Sequence, residues 1–206
     1  MKRSFVLVGR HATASADFSL VDIAGTSGRL DVLLRGLRAA LLVSHGVRRD
    51  TIAYLVLLGG ARAKADAHPA GPRVIKIAGE TAKFLRPDER ALATLVQKTL
   101  AHDQESGAFV EVRPGVCLAA AGIDAVIADV GDAELFVLEE GGRDVRELPA
   151  FTRDVALFVG GHDGFDDVTR AKLDALGARA IRVGPTSIHA DDAIAVVHNE
   201  LDRRDA

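Results

Sequence analysis

The chain contains one cysteine, Cys117, in 206 residues. A single thiol builds neither a disulfide framework nor a thiolate metal site within one chain, so Cys117 reads as a small buried hydrophobe. Long apolar runs are also missing: none approaches the roughly 20 residues that cross a bilayer. The opening Met1-Lys2-Arg3-Ser4 passes straight into a short strand rather than the hydrophobic stretch of a signal peptide, so a cytosolic protein is expected. No G-x-G-x-x-G opens a helix after the first strand and no G-x-x-x-x-G-K-[ST] occurs, which argues against a standard dinucleotide site and against phosphoryl transfer. A G-x-S-x-G nucleophile elbow is absent too. The seven histidines, at 11, 45, 68, 102, 162, 189 and 198, include no H-x-x-x-H pair, and no metal site is expected.

What is present suits one domain spanning residues 1–206, since a hydrophobic content of 48% over this length supplies a sizeable core. The net charge of −3 argues against binding nucleic acid through the overall field. The charge is unevenly spread: residues 1–110 carry 16 Lys and Arg against 10 Asp and Glu, net +6, whereas residues 111–206 carry 10 against 19, net −9. Contact with a polyanion, if made, belongs to the first half; scatter on a solvated surface accounts for the same asymmetry.

Ser4–Val8 is a short apolar run fit for a buried strand, and a polar loop follows from Arg10 to Gly25. Thr26 or Ser27 can cap a helix in which Leu30, Leu33, Leu34, Leu37, Leu41 and Leu42 recur at helical spacing until Gly46. Thr51–Leu58 reads as a strand ending at Gly59-Gly60, with a loose, mobile loop from Ala61 to Pro72. Arg73–Ile77 and Thr81–Leu85 flank Ala78-Gly79-Glu80 and predict a small β-hairpin elaboration. Pro87-Asp88-Glu89 starts a helix running to about His102. Phe109–Val112, Leu135–Leu138, Ala156–Val159 and Ala180–Val183 are short apolar strands separated by helical stretches near 120–130, 166–176 and 189–203. Such alternation predicts an α/β fold with a mainly parallel sheet flanked by helices.

Ligands of parallel α/β sheets bind beyond the carboxyl ends of the strands. The loops there read Leu138-Glu139-Glu140-Gly141-Gly142, Gly160-Gly161-His162-Asp163-Gly164 and Gly184-Pro185-Thr186-Ser187-Ile188-His189. Each alone is compatible with an ordinary turn. Three in succession favour a site where backbone approaches a nucleoside-sized ligand.

Four stretches carry a resemblance to a known family. They are Asp17-Phe18-Ser19-Leu20 through Gly25-Thr26-Ser27-Gly28-Arg29-Leu30-Asp31, then Leu42 to Arg48, then Gly160 to Gly164, and finally Gly184-Pro185 through His198-Asn199-Glu200-Leu201-Asp202-Arg203. Over nearly the whole chain the sequence resembles the archaeal tRNA pseudouridine-54 N1-methyltransferases of the SPOUT superfamily. The resemblance implies a SPOUT-type domain with a C-terminal trefoil knot, a homodimer, S-adenosylmethionine as cofactor and RNA, in the first place tRNA, as partner. It implies cofactor contacts from Leu138, Gly160, Val183, Gly184, Pro185, Thr186, Ser187 and Ile188. Ala193 stands where the family usually has a cysteine beside the cofactor, and keeps a small, mostly apolar wall there.

N-methylation of a weakly acidic ring nitrogen calls for positioning, with a carboxylate as base or a cation that stabilises the anionic ring. Arg29 and Asp31 are the candidates for catalysis, Arg29 holding phosphate or a uracil oxygen and Asp31 accepting a proton or orienting Arg29. A structural ion pair at a helix start suits the same two residues. Arg35, Arg38, Arg48 and Arg49 form a candidate phosphate-contacting set, or a solvated helix face. Two alternatives stay open: the same chemistry on another RNA such as ribosomal RNA, and a noncatalytic RNA-binding SPOUT protein, which Ala193 keeps in view.

Overall fold

A computed structural model describes residues 1–59 and 71–205, so the loop expected from Ala61 falls almost wholly outside the described residues. The chain opens with β1 (Arg3–Gly9), a short α1 (Ile23–Thr26) and α2 (Leu30–Leu41). A two-residue antiparallel ribbon of β2 (Leu42–Val43) and β3 (Gly46–Val47) follows. It ends the helix about one turn before Gly46, because Leu42 already takes an extended conformation. Next come β4 (Thr51–Leu57), β5 (Arg73–Ala78) and α3 (Glu89–Leu100), then β6 (Val110–Arg113), β7 (Val116–Ala119) and α4 (Ile123–Val130). The last part holds β8 (Glu134–Asp144), β9 (Val155–Gly160), α5 (Asp167–Ala175), β10 (Arg179–Arg182) and α6 (Ala190–Asp205).

The strands form one eight-stranded sheet in the order β10-β8-β9-β1-β4-β5-β7-β6. From β10 to β4 all pairs are parallel; β5, β7 and β6 continue the sheet antiparallel. Alternation along each strand divides the core between two faces. Phe5 and Leu7 of β1, with Leu157 and Val159 of β9, pack under α2, α3 and α6. Val6, Val8 and Phe158 face Ile123 and Val126 of α4 and Leu173 of α5. Burying each such aliphatic side chain contributes about 1.5–3 kcal/mol. Strands covered on both faces read as continuous apolar runs, which is why β1, β4 and β9 were visible in the sequence.

Local capping follows the expectation at α3, where the Asp88 carboxylate accepts from the Ala91 N–H at 2.8 Å. The expected hairpin does not form where it was sought. Thr81–Leu85 has no strand conformation, Phe84 sits at φ 60°, and β5 pairs instead with β4 and β7. A hairpin does exist further on, where β6 turns through Pro114-Gly115 into β7 with Gly115 at φ 73°. Val116–Ala119 is thus a strand beyond those the apolar runs predict.

Candidate functional site

Beyond the carboxyl ends of β9 and β10 lies a cavity of about 550 Å³; its third wall is Leu138–Glu140, which is not the expected strand exit but a bulged stretch within β8, where the pairing with β10 skips from Val137 to Arg143. That volume lies within the range of small-molecule sites, about 300–1,000 Å³. Leu138, Gly160, Val183, Gly184, Pro185, Thr186, Ser187, Ile188 and Ala193 all line it. The loops are tied to one another around it: Ser187 donates its hydroxyl to Glu140 at 2.5 Å, and Glu139 pairs with Arg170 of α5. Glycines at 160, 161, 164 and 184 leave backbone atoms in the wall. Apolar Leu138, Val159 and Ile188 beside acidic Glu139, Glu140 and Asp191 suit a ligand that pairs a flat ring with hydroxyl groups and a cationic centre. The residues present therefore fit S-adenosylmethionine.

Arg29 enters the same cavity from the start of α2. Gly28 and Arg29 both have φ of 66°, and a Cβ at Gly28 would collide with the His11 carbonyl oxygen. Ser27 does contribute at this helix start, because its hydroxyl accepts from the Leu30 N–H at 3.1 Å. Arg29 then bends back on Asp31 with both arms of its guanidinium: Nε reaches Oδ1 at 3.0 Å and Nη2 reaches Oδ2 at 3.1 Å. Arg35, one turn on, donates to the same Oδ2 at 3.1 Å. Asp31 is buried, which by itself would raise its pKa, but the two guanidinium partners outweigh burial and hold the carboxyl below its ordinary value. Asp31 is thus an ionised anchor that aims Arg29, and a carboxylate so held is a poor proton acceptor.

The other arginines divide. Arg35 lines the cavity, and Arg38 and Arg49 are exposed away from it. Arg48 is engaged inside the protein: it grips Asp202 of α6 at 3.0 and 2.8 Å. Arg3 also donates to Asp202, at 2.5 Å, and the two arginines hold this carboxyl at about 2. Beside them His198 is buried, its Nε2 donating to the Ala40 carbonyl at 2.9 Å and its ring 4.5 Å from Phe5. Burial, helped by the Arg48 and Arg3 cations, lowers its pKa to about 4. Ile194 and Val197 of α6 are buried in the chain's own core.

A cluster that the motifs did not suggest flanks the cavity. Asp163 Oδ2 lies 3.1 Å from His11 Nε2 and 3.0 Å from His162 Nε2, and Arg10 donates to the Asp163 carbonyl at 3.3 Å. His11 and His162 each follow the end of a strand, and β1 pairs with β9 in the register Val8↔Gly160, so strand adjacency brings them together. Among the described residues no group of three His, Cys, Asp or Glu is arranged to hold a metal ion.

Sheet, cavity and arginine clamp define an α/β protein with a nucleoside-sized cofactor site at the carboxyl ends of its parallel strands. Residues 2–206 match the family model described as "Putative SAM-dependent RNA methyltransferase", and the chain belongs to that family. It is 35% identical over 204 residues to the tRNA (pseudouridine(54)-N(1))-methyltransferase of Methanosarcina mazei, covering 99% of this chain and 92% of that protein. The protein of the same name from Haloferax volcanii is 34% identical over 203 residues, covering 97% and 96%. The fold resembles Archaeoglobus fulgidus Nep1, solved bound to S-adenosylhomocysteine, with a TM-score of 0.67 at 16% identity over 100% of this chain and 99% of that one.

Proposed function

We propose that the protein transfers the methyl group of S-adenosylmethionine to N1 of pseudouridine in RNA, at position 54 of tRNA. The observation that carries this reading is the cavity, formed by the glycine-bearing loops after β9 and β10, the middle of β8 and Arg29. Family membership and the shared name of the relatives support the substrate, and favour tRNA over ribosomal RNA. The bound cofactor supplies an electrophilic methyl group. Loop backbone at 160–164 and 184–188 holds it, and Ala193 closes one wall without a polar group. Arg29, aimed by Asp31, stabilises negative charge growing on the uracil ring as its nitrogen loses a proton. Arg35 beside it extends the positive wall toward phosphate, with exposed Arg38 and Arg49 as outer contacts.

The reading includes a trefoil knot in the C-terminal part, a homodimer and a cytoplasmic setting, each resting on the likeness to SPOUT proteins. No helix among the described residues is long and apolar enough to cross a membrane, which is compatible with that setting. The test is methylation of tRNA transcripts carrying pseudouridine or uridine at position 54, followed by nucleoside mass spectrometry, with light scattering on the same preparation. Methylpseudouridine formed only from the first transcript by a dimeric protein is the expected outcome. Methyl transfer to uridine, or to a nucleotide elsewhere, would overturn the substrate assignment.

A further inference from the structure

Arg29, Gly161, His162 and Gly164 line both the cofactor cavity and a narrow recess behind it, whose other walls include Arg10, His11 and Asp163. The recess has a volume of about 10 Å³. That is room for roughly one water and too little for a nucleobase. A base reaching the methyl group must come from the cavity side, where His162 stands in the wall beside the arginine that faces the ring. Three acidic groups nearby are committed, Asp31 to Arg29 and Arg35, Glu139 to Arg170 and Glu140 to Ser187, and Asp191 of α6 lines the cavity but not the recess.

Asp163 Oδ2 lies 3.1 Å from His11 Nε2 and 3.0 Å from His162 Nε2, and because a carboxylate oxygen only accepts, this approach favours hydrogen on those nitrogens. In neutral imidazole that leaves Nδ1 of His162 as a lone-pair acceptor. We propose that His162 is the catalytic proton acceptor for the pseudouridine N1–H, with Asp163 a positioning residue. The inference rests on the methyl-transfer reading above. In the step, the N1–H bond breaks and its proton goes to His162 Nδ1. The N1–carbon bond forms as the carbon–sulfur bond breaks, and sulfur keeps the electron pair. The positive charge that begins on sulfonium ends on imidazolium, whose formation beside Asp163 is electrostatically favoured. The imidazolium then releases this proton to solvent, to which the His162 side chain is 38% exposed.

Single-turnover transfer from labelled S-adenosylmethionine to pseudouridine-54 tRNA, with calorimetric affinities for S-adenosylhomocysteine and for the tRNA, tests this on the full chain. His162→Ala is expected to slow transfer about 10²-fold, with both affinities within about threefold of wild type. Free imidazole should restore part of the rate. Asp163→Asn, which keeps the shape but no longer fixes the tautomer, should slow transfer about tenfold or more. A folded His162→Ala protein at wild-type rate overturns the proposal, as does a slowing matched by lost tRNA or cofactor affinity. A slow His162→Ala that ignores imidazole, together with a fully active Asp163→Asn, overturns it as well. In each of these cases wild-type methylation at N1 persists, and the functional reading stands. Wild-type protein that transfers no methyl, or transfers it to an atom bearing no proton, overturns both.

Discussion

Arg29 combines a left-handed backbone with a two-armed grip on a buried carboxylate. For a residue with a Cβ the left-handed conformation costs about 1–2 kcal/mol, and nothing in a plain helix start requires it. Substitution can therefore separate backbone from side chain. Arg29→Gly loses the guanidinium but relieves the backbone, whereas Arg29→Ala loses the first and keeps the strain. Both should slow single-turnover methylation about 10²-fold, while thermal unfolding should find the glycine variant more stable than the alanine variant by about 1 kcal/mol. Equal stabilities with unchanged rates would leave the pair a purely structural device. The Arg29–Asp31 pair was legible because both residues lie in one local motif, although whether Asp31 accepts a proton or orients Arg29 was not. His11 and His162 were illegible as a pair for the opposite reason. They are 151 positions apart in the chain, and their meeting depends on β1 and β9 being neighbours.

Among the elements, the loops after β9 and β10 were legible because the hydrophobic runs before them and the glycines within them are local signals, whereas Leu138–Gly142 resembles a strand exit but lies within β8. The hairpin was misplaced because its partner strands are set by distant pairing. β5 finds β4 and β7, and no nearby pattern declares that. The glycines are not equivalent either. A Cβ at Gly160 would come within 2.7 Å of the Gly164 Cα, so bulk there distorts the turn itself rather than filling ligand space. At Gly184, which lines the cavity, a Cβ would meet no protein atom within 4 Å. Gly184→Val is thus the cleaner probe. Calorimetry should find cofactor affinity lowered by about tenfold, on the order of 1.4 kcal/mol, with little change in thermal midpoint. Unaltered affinity would mean that this loop faces away from the ligand.

For the whole molecule, α6 fastens the last part of the chain to the first through His198, Asp202, Arg3 and Arg48. His198 has a folded pKa of about 4, below the ordinary imidazole value, so the unfolded chain binds more protons between the two. Its contribution is complete above the unfolded pKa, near 6.5, and is lost as pH falls toward 4. The difference corresponds to about 3 kcal/mol. Thermal unfolding followed from pH 7 to pH 4 should reveal this loss, and His198→Gln, less stable at pH 7, should show a flatter profile. A wild-type midpoint constant across that range would remove the buried imidazole from the balance.

The sheet order β10-β8-β9-β1-β4 has a consequence for the timing of synthesis. One edge of β1 is covered by β4 early, but the other waits for residues 155–160, and the cavity waits for residues up to Ala193. A nascent chain paused before that point therefore offers a bare, strongly apolar strand edge to its surroundings, a template for pairing with other chains. The methyl donor can select only finished molecules, since no shorter product owns the pocket. Cofactor supply during translation should accordingly raise the yield of completed protein without rescuing chains truncated before β9.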